Sequence, residues 1–148
     1  MNPNSDFKDL LSVFNDFDVR YLVAGGYALM LYAEPRFTQG LEVWVEASDL
    51  NASRVFAALA EFGAPLKGLS PTDFAQTGIV YQIGMPPARI DILMSVTGVD
   101  FSSAWESRKM TTYAGLAVPC MSRADLIKNK RATGRPQDLL DAEQLERG

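Results

Sequence analysis

The sequence predicts a mixed α+β (mixed α/β) fold, with a central mixed sheet of about five or six strands flanked by helices. Three features predict it. Runs with strand character recur between residues 19 and 120, helix-period runs fall unevenly among them, and Gly and Pro mark most of the junctions. The regular strand–helix alternation of a doubly wound parallel sheet is missing. At 148 residues, with no repeat, low-complexity tract or linker-like stretch, the chain reads as a single domain over residues 1–148.

The elements follow in order. Phe7, Leu10, Leu11 and Phe14 fall at i, i+3, i+4 and i+7, the apolar stripe of a first helix, with Ser5 as its expected N-cap and Asp6 in its first turn. Residues 19–24 read as a buried strand stopped by Gly25-Gly26, and residues 27–33 as a short helix ended by Pro35. Residues 41–46 alternate strictly: Leu41, Val43 and Val45 face one side, Glu42, Trp44 and Glu46 the other. Ser48 or Asp49 caps the next helix, which buries Val55, Phe56, Leu59 and Phe62 and closes at Gly63. Residues 64–78 read as irregular.

Strands at 79–83 and 89–94 form a hairpin around Gly-Met-Pro-Pro-Ala. A short helix over 101–108 precedes a second strand pair, 109–113 and 116–120, turning at Ala114-Gly115. Ser122 to Asp125 has the pattern of a capping box, and Pro136 stands in the first turn of the last helix.

Composition narrows the chemistry. The chain has one cysteine, Cys120, and no histidine, which removes internal disulfides, multi-cysteine zinc sites, Ser-His-Asp and Cys-His catalysis and any imidazole switch. Acids, bases and metal ligands must come from carboxylates, Lys, Tyr or the backbone. A net charge of −4 sets the average field against nucleic acid. No run approaches the ~18 apolar residues of a membrane span, and residues 1–15 lack signal-peptide order, so the expected compartment is the cytoplasm, with no membrane partner. The P-loop, dinucleotide, EF-hand and G-x-S-x-G signatures are all absent from the sequence.

What remains is a strand, a Gly-Gly turn opening a short helix, and a second strand with a carboxylate on one face. Leu22-Val23-Ala24-Gly25-Gly26, then thirteen residues, then Gly40-Leu41-Glu42-Val43 resembles the polymerase-β-like nucleotidyltransferase superfamily, in particular its minimal and AbiEii-like branch. Ile90-Asp91-Ile92 matches that superfamily's third element, and the stretch from Asp125 through Lys130, Arg131, Gly134-Arg135-Pro136 and Asp138 to Asp141 resembles the close of the AbiEii-like branch. The resemblance spans nearly the whole chain. It implies a nucleotidyltransferase fold, Glu42 and Asp91 as catalytic, metal-holding carboxylates, and Gly25, Gly26, Lys130, Arg135 and Asp138 around the nucleotide.

The chemistry gives reasons for that pattern. Nucleotidyl transfer is commonly run by two Mg²⁺ ions about 3.5–4 Å apart, held by hard oxygen ligands. Positions 40 and 42 share a strand face roughly 6.6 Å apart, and a neighbouring strand with Asp91 would lie about 4.8 Å away. Yet Gly40 stands where the resemblance puts the first metal-binding Asp. Glu46 is about 13 Å further along and cannot replace it; Glu34 and Asp49 lie in flanking segments. Mg²⁺ binding is therefore expected to be weak or absent without a carboxylate at Gly40, and Gly40→Asp is expected to restore it.

Each feature has a plainer reading beside this one. Gly25-Gly26 is either a phosphate-approaching turn or a strand-to-helix turn with unusual dihedrals. Glu42 alone is an ordinary strand-face carboxylate, and Asp91 could be a structural partner of Arg89. Arg123, Lys128, Lys130, Arg131 and Arg135 hold five of the fourteen cations within thirteen residues, either a solvated helix face or a phosphate patch, with Lys130 favoured. Trp44, Phe101 and Trp105 read as packing, and Tyr27 more as packing than as a phosphate or ribose contact.

Two functions stay open. One is Mg²⁺-dependent transfer from an NTP to an unknown acceptor (protein, RNA or small molecule), weakened by Gly40. The other is a catalytically impaired relative acting by nucleotide or partner binding, in a homodimer or a toxin–antitoxin pair.

Overall fold

The computed structural model describes residues 5–33, 38 and 40–147. The expected helix stop at Pro35, and Glu34, lie outside the described residues. The order is α1 (Ser5–Asp16), β1 (Tyr21–Ala24), α2 (Gly25–Tyr32), β2 (Gly40–Val45), α3 (Asp49–Phe62), a 3₁₀ turn (Pro71–Ala75), β3 (Val80–Ile83), β4 (Arg89–Leu93), α4 (Phe101–Glu106), β5 (Lys109–Tyr113), β6 (Leu116–Cys120), α5 (Arg123–Thr133) and α6 (Pro136–Arg147).

The six strands form one mixed sheet in the order β3-β4-β2-β1-β6-β5. β2 runs antiparallel to β1 but parallel to β4, and β6 runs parallel to β1; the β3–β4 and β5–β6 pairs are antiparallel hairpins. The central strands are buried because their sequences are apolar on both faces apart from Glu42, Arg89 and Asp91. β1 is buried throughout, and in β2 every residue except Glu42 is buried. The two edge strands, β3 and β5, alternate with exposed positions.

The helices close the core. Phe7, Leu10, Leu11 and Phe14 are all buried, as the α1 spacing requires, and Ser5 is the first residue inside the helix. α3 is capped by the Ser48 hydroxyl, which accepts from the Asn51 N–H, and ends at Gly63 in the left-handed conformation. Its buried stripe is Ala52, Val55, Ala58 and Leu59, while Phe56 and Phe62 are half-buried; the small alanines turn toward the core where α3 packs against α1. Trp44 is fully buried edge-on to Phe101, with ring centroids 5.0 Å apart, and Phe101 stacks on Trp105 at 5.9 Å. All three aromatics are packing.

Two sequence expectations shift. The first strand begins at Tyr21 rather than residue 19, and α2 begins at Gly25, two residues early, because the glycines form its first turn. The Ser122 hydroxyl does cap α5, but the Asp125 carboxylate accepts from Ser107 at 2.8 Å rather than closing a capping box.

One buried amide holds the far end of the central strands. Asn51 Oδ1 accepts from the Arg20 N–H at 2.8 Å, and its Nδ2 donates to the Arg20 and Glu46 carbonyls at 3.0 and 2.8 Å. Asn51→Leu keeps the approximate volume but strands these backbone groups, so it is expected to cost about 2–3 kcal/mol. Urea unfolding, read as a lower midpoint at unchanged slope, measures it.

Candidate functional site

The register between β2 and β4 builds the site. In this parallel pair Gly40 lies beside Arg89 and Glu42 beside Asp91, so both carboxylates stand on neighbouring strands at one level. Around them opens a cleft of about 420 Å³ lined by Gly26, Thr38, Gly40, Glu42, Arg89, Asp91, Lys130, Arg135, Gln137 and Asp138. Six of the seven residues singled out in the sequence therefore meet here; the seventh, Gly25, lies just behind.

Gly25 is there for two steric reasons. Its φ of +62° favours glycine, and a Cβ would overlap the Glu42 carboxylate. A Cβ on Gly26 would come within 2.8 Å of the Thr38 side chain. The glycine pair thus lets the start of α2 close down on β2, and it leaves the Glu42 carboxylate against the helix N-terminus, where the macrodipole favours negative charge. Ala24, the N-cap, offers no side-chain acceptor to the opening N–H groups.

Asp91 is largely buried and held by Arg89. Nε lies 3.0 Å from Oδ1, and the guanidinium donates from Nη2 to Oδ2 at 3.2 Å. The structural partner considered for Asp91 is therefore the one found. Gly40 is equally constrained: a Cβ there would overlap the Arg89 carbonyl oxygen. The glycine is needed for the strands to approach, so the simple restoration expected of Gly40→Asp does not hold on this backbone.

The α5–α6 junction forms the opposite wall. Lys130 is buried, with Nζ 3.6 Å from Asp138 Oδ1 and 3.2 Å from Asp141 Oδ2. Asp138 Oδ2 accepts from Arg135 Nε at 2.7 Å and from the Thr133 hydroxyl at 2.8 Å. Burial alone would raise the Asp138 carboxyl, but the hydrogen bonds from Arg135 and Thr133 and the charge of Lys130 hold it below its ordinary value. The Arg135 side chain is 76% exposed and stays open to the cleft. Its pKa is raised first by the Asp138 hydrogen bond and charge, with the Glu42 carboxylate adding least.

Other expectations resolve differently. Lys130 lines the cleft but spends its charge on two carboxylates; Lys128 is exposed, Arg131 pairs with Glu146, and Arg123 stacks over Tyr32. Tyr27 packs edge-on against Phe7 and Tyr113 beside a separate apolar cavity, not in the cleft. Burial pushes the Cys120 thiol up to about 12, so it is no nucleophile near neutral pH. Thr38, Gln137 and Asp141 were missed. Thr38 lies two residues before Gly40, and Asp141 follows Asp138 by a helical turn, so spacing alone could have found both.

No protein-family model and no curated protein matches the sequence. Among solved structures, the lincomycin-bound crystal structure of the lincosamide antibiotic adenylyltransferase LnuA superposes with a TM-score of 0.53 at 15% identity, covering 98% of each chain. The chain has a nucleotidyltransferase fold. Members of that fold commonly use Mg²⁺, so the donor set can be tested for it. It does not fit: Arg89 hydrogen-bonds one Asp91 oxygen and lies 3.0 Å from the other, Gly40 has no room for a side chain, and among the described residues no group of three or more carboxylate, Cys or His ligands could hold a metal ion.

Two outcomes follow. Gly40→Ala and Gly40→Asp are both expected to destabilise the chain by about 1–3 kcal/mol, with no recovery of thermal midpoint on adding Mg²⁺. Asp138→Asn is expected to lower stability at pH 7. Because the folded-state pKa lies below the unfolded one, the Asp138 contribution is full above about pH 4 and disappears as the pH falls through the lowered value. Parent and variant unfolding curves should therefore converge in acid.

Proposed function

We propose that the chain binds a nucleoside triphosphate in this cleft and has lost efficient nucleotidyl transfer. The observation that carries the reading is the convergence of Gly26, Glu42, Asp91, Lys130, Arg135 and Asp138 on one cleft of a size that suits a small ligand. The exposed Arg135 and the opening of α2 offer donors to phosphate oxygens. Transfer is what the same geometry argues against, since Arg89 and Gly40 leave no clustered oxygens for the two-cation chemistry. The C-terminal run through Lys130, Arg135 and Asp138 supports placing the chain in the AbiEii-like branch, and a partner protein, as in a toxin–antitoxin pair, is then the natural recipient of the nucleotide-bound state.

A second reading keeps weak Mg²⁺-dependent transfer. The level register of Glu42 and Asp91 favours it, and the lincosamide named for the structural neighbour makes a small-molecule acceptor one class to assay.

Calorimetric titration with ATP and GTP tests the proposal. Binding is expected in the parent and roughly tenfold or more weaker in Arg135→Ala, because a charge-assisted hydrogen bond contributes about 1.5–3 kcal/mol. Transfer of label from α-labelled NTP is expected to stay at background. Asp91-dependent labelling of any acceptor would establish the second reading instead.

A further inference from the structure

We infer that Arg89 stands in the place of a divalent cation: its guanidinium supplies the positive charge that a bound metal would otherwise bring to Asp91, on the strand beside Glu42. The inference rests on the proposed nucleotide cleft for its purpose but not for its chemistry, which is on the strands themselves.

Arg89 closes the site twice. Its carbonyl fills the space where a side chain at position 40 would start, and its guanidinium engages both oxygens of Asp91, two residues along the same strand face. Asp91 is buried, so its charge needs a partner. In a two-cation site that partner is the metal. Here it is covalently part of β4.

Charge in the cleft agrees. Arg89, Lys130 and Arg135 line the cleft with Glu42, Asp91 and Asp138, and Asp141 behind Lys130 adds a fourth carboxylate. With Lys130 shared between Asp138 and Asp141 and Arg135 held on Asp138, Arg89 is the cation that balances the strand-face carboxylates. With Arg89 neutralised, the lining would carry a net negative charge, and Glu42 and Asp91 would stand side by side on adjacent strands with one less counter-charge. Like charges so placed are costly and favour cation capture. A planar guanidinium also suits this position, because its fork matches a carboxylate and its outer edge can donate to a phosphate oxygen. Nucleotide binding in this cleft should then be independent of divalent cations.

The test uses Mn²⁺ alone as the first probe, read by calorimetry or by loss of the free-ion spectroscopic signal. The parent is expected to bind no Mn²⁺ in the cleft. Arg89→Gln is expected to bind Mn²⁺ roughly tenfold or more tighter than the detection limit set by the parent, and Arg89→Gln with Glu42→Gln to lose that binding. A parent that binds Mn²⁺ in a Glu42-dependent way overturns the inference, as does a folded Arg89→Gln that gains nothing. Should Arg89→Gln fail to fold, the parent's own Mn²⁺ response, compared with Glu42→Gln, still decides.

ATP titration of the parent in EDTA and in Mg²⁺ is the second probe. Equal affinity in both supports Arg89 as the cation, and a drop of roughly tenfold or more on chelation overturns it. Absence of ATP binding in both conditions would sink the proposed nucleotide function, while the Mn²⁺ result stands on its own.

Discussion

The parallel seam between β2 and β4 is the constraint on which the rest of the site depends. Its register sets Gly40 against Arg89 and Glu42 against Asp91, and one residue slipped either way would turn the carboxylates to opposite faces. The seam is close because position 40 has no side chain, and it is charged on one face because the strands are apolar on the other. Gly25 then lets α2 settle onto that face against Glu42. Three glycines, at positions 25, 26 and 40, thus do the geometric part, and Arg89 does the electrostatic part.

The second wall is held by charge rather than by apolar packing. α5 and α6 carry few buried apolar residues, and Lys130, Asp138 and Asp141 lie buried between them. Such a network costs desolvation and is stable only when every member is paired. It fixes the angle at Gly134 where α5 turns into α6, and so fixes where Arg135 points. Lys130 thus lines the cleft while its charge is shared between Asp138 and Asp141.

Much of the fold was legible because its signals are local. The alternation at 41–46, the two hairpins, the Ser48 and Ser122 caps and the Gly63 stop are each written in a few adjacent residues, and each is where expected within two positions. The candidate site was legible in membership but not in roles. Gly40 read as a missing carboxylate, since nothing in the sequence says that the Arg89 carbonyl occupies its Cβ position. Arg89 itself was visible only as a neighbour two residues from Asp91. For Tyr27 the plainer reading holds: helical phase after Gly25-Gly26 turns it onto Phe7 and Tyr113 rather than into the cleft.

A site abandoned to drift would be expected to lose Asp91, because a buried charge is costly once its purpose is gone. Here Asp91 is balanced by Arg89 and Glu42 lies at the N-terminus of α2, so each now has a structural account that requires no metal. Their retention is therefore not by itself a sign of catalysis. Arg135, by contrast, is mostly exposed beside the cleft, and its pairing with Asp138 fixes its direction more than it satisfies its five donors. The group with the least structural necessity is the one best placed to meet an anion. That asymmetry, with committed carboxylates on the strands and an open cation on the helix junction, is the observation behind the proposed binding function.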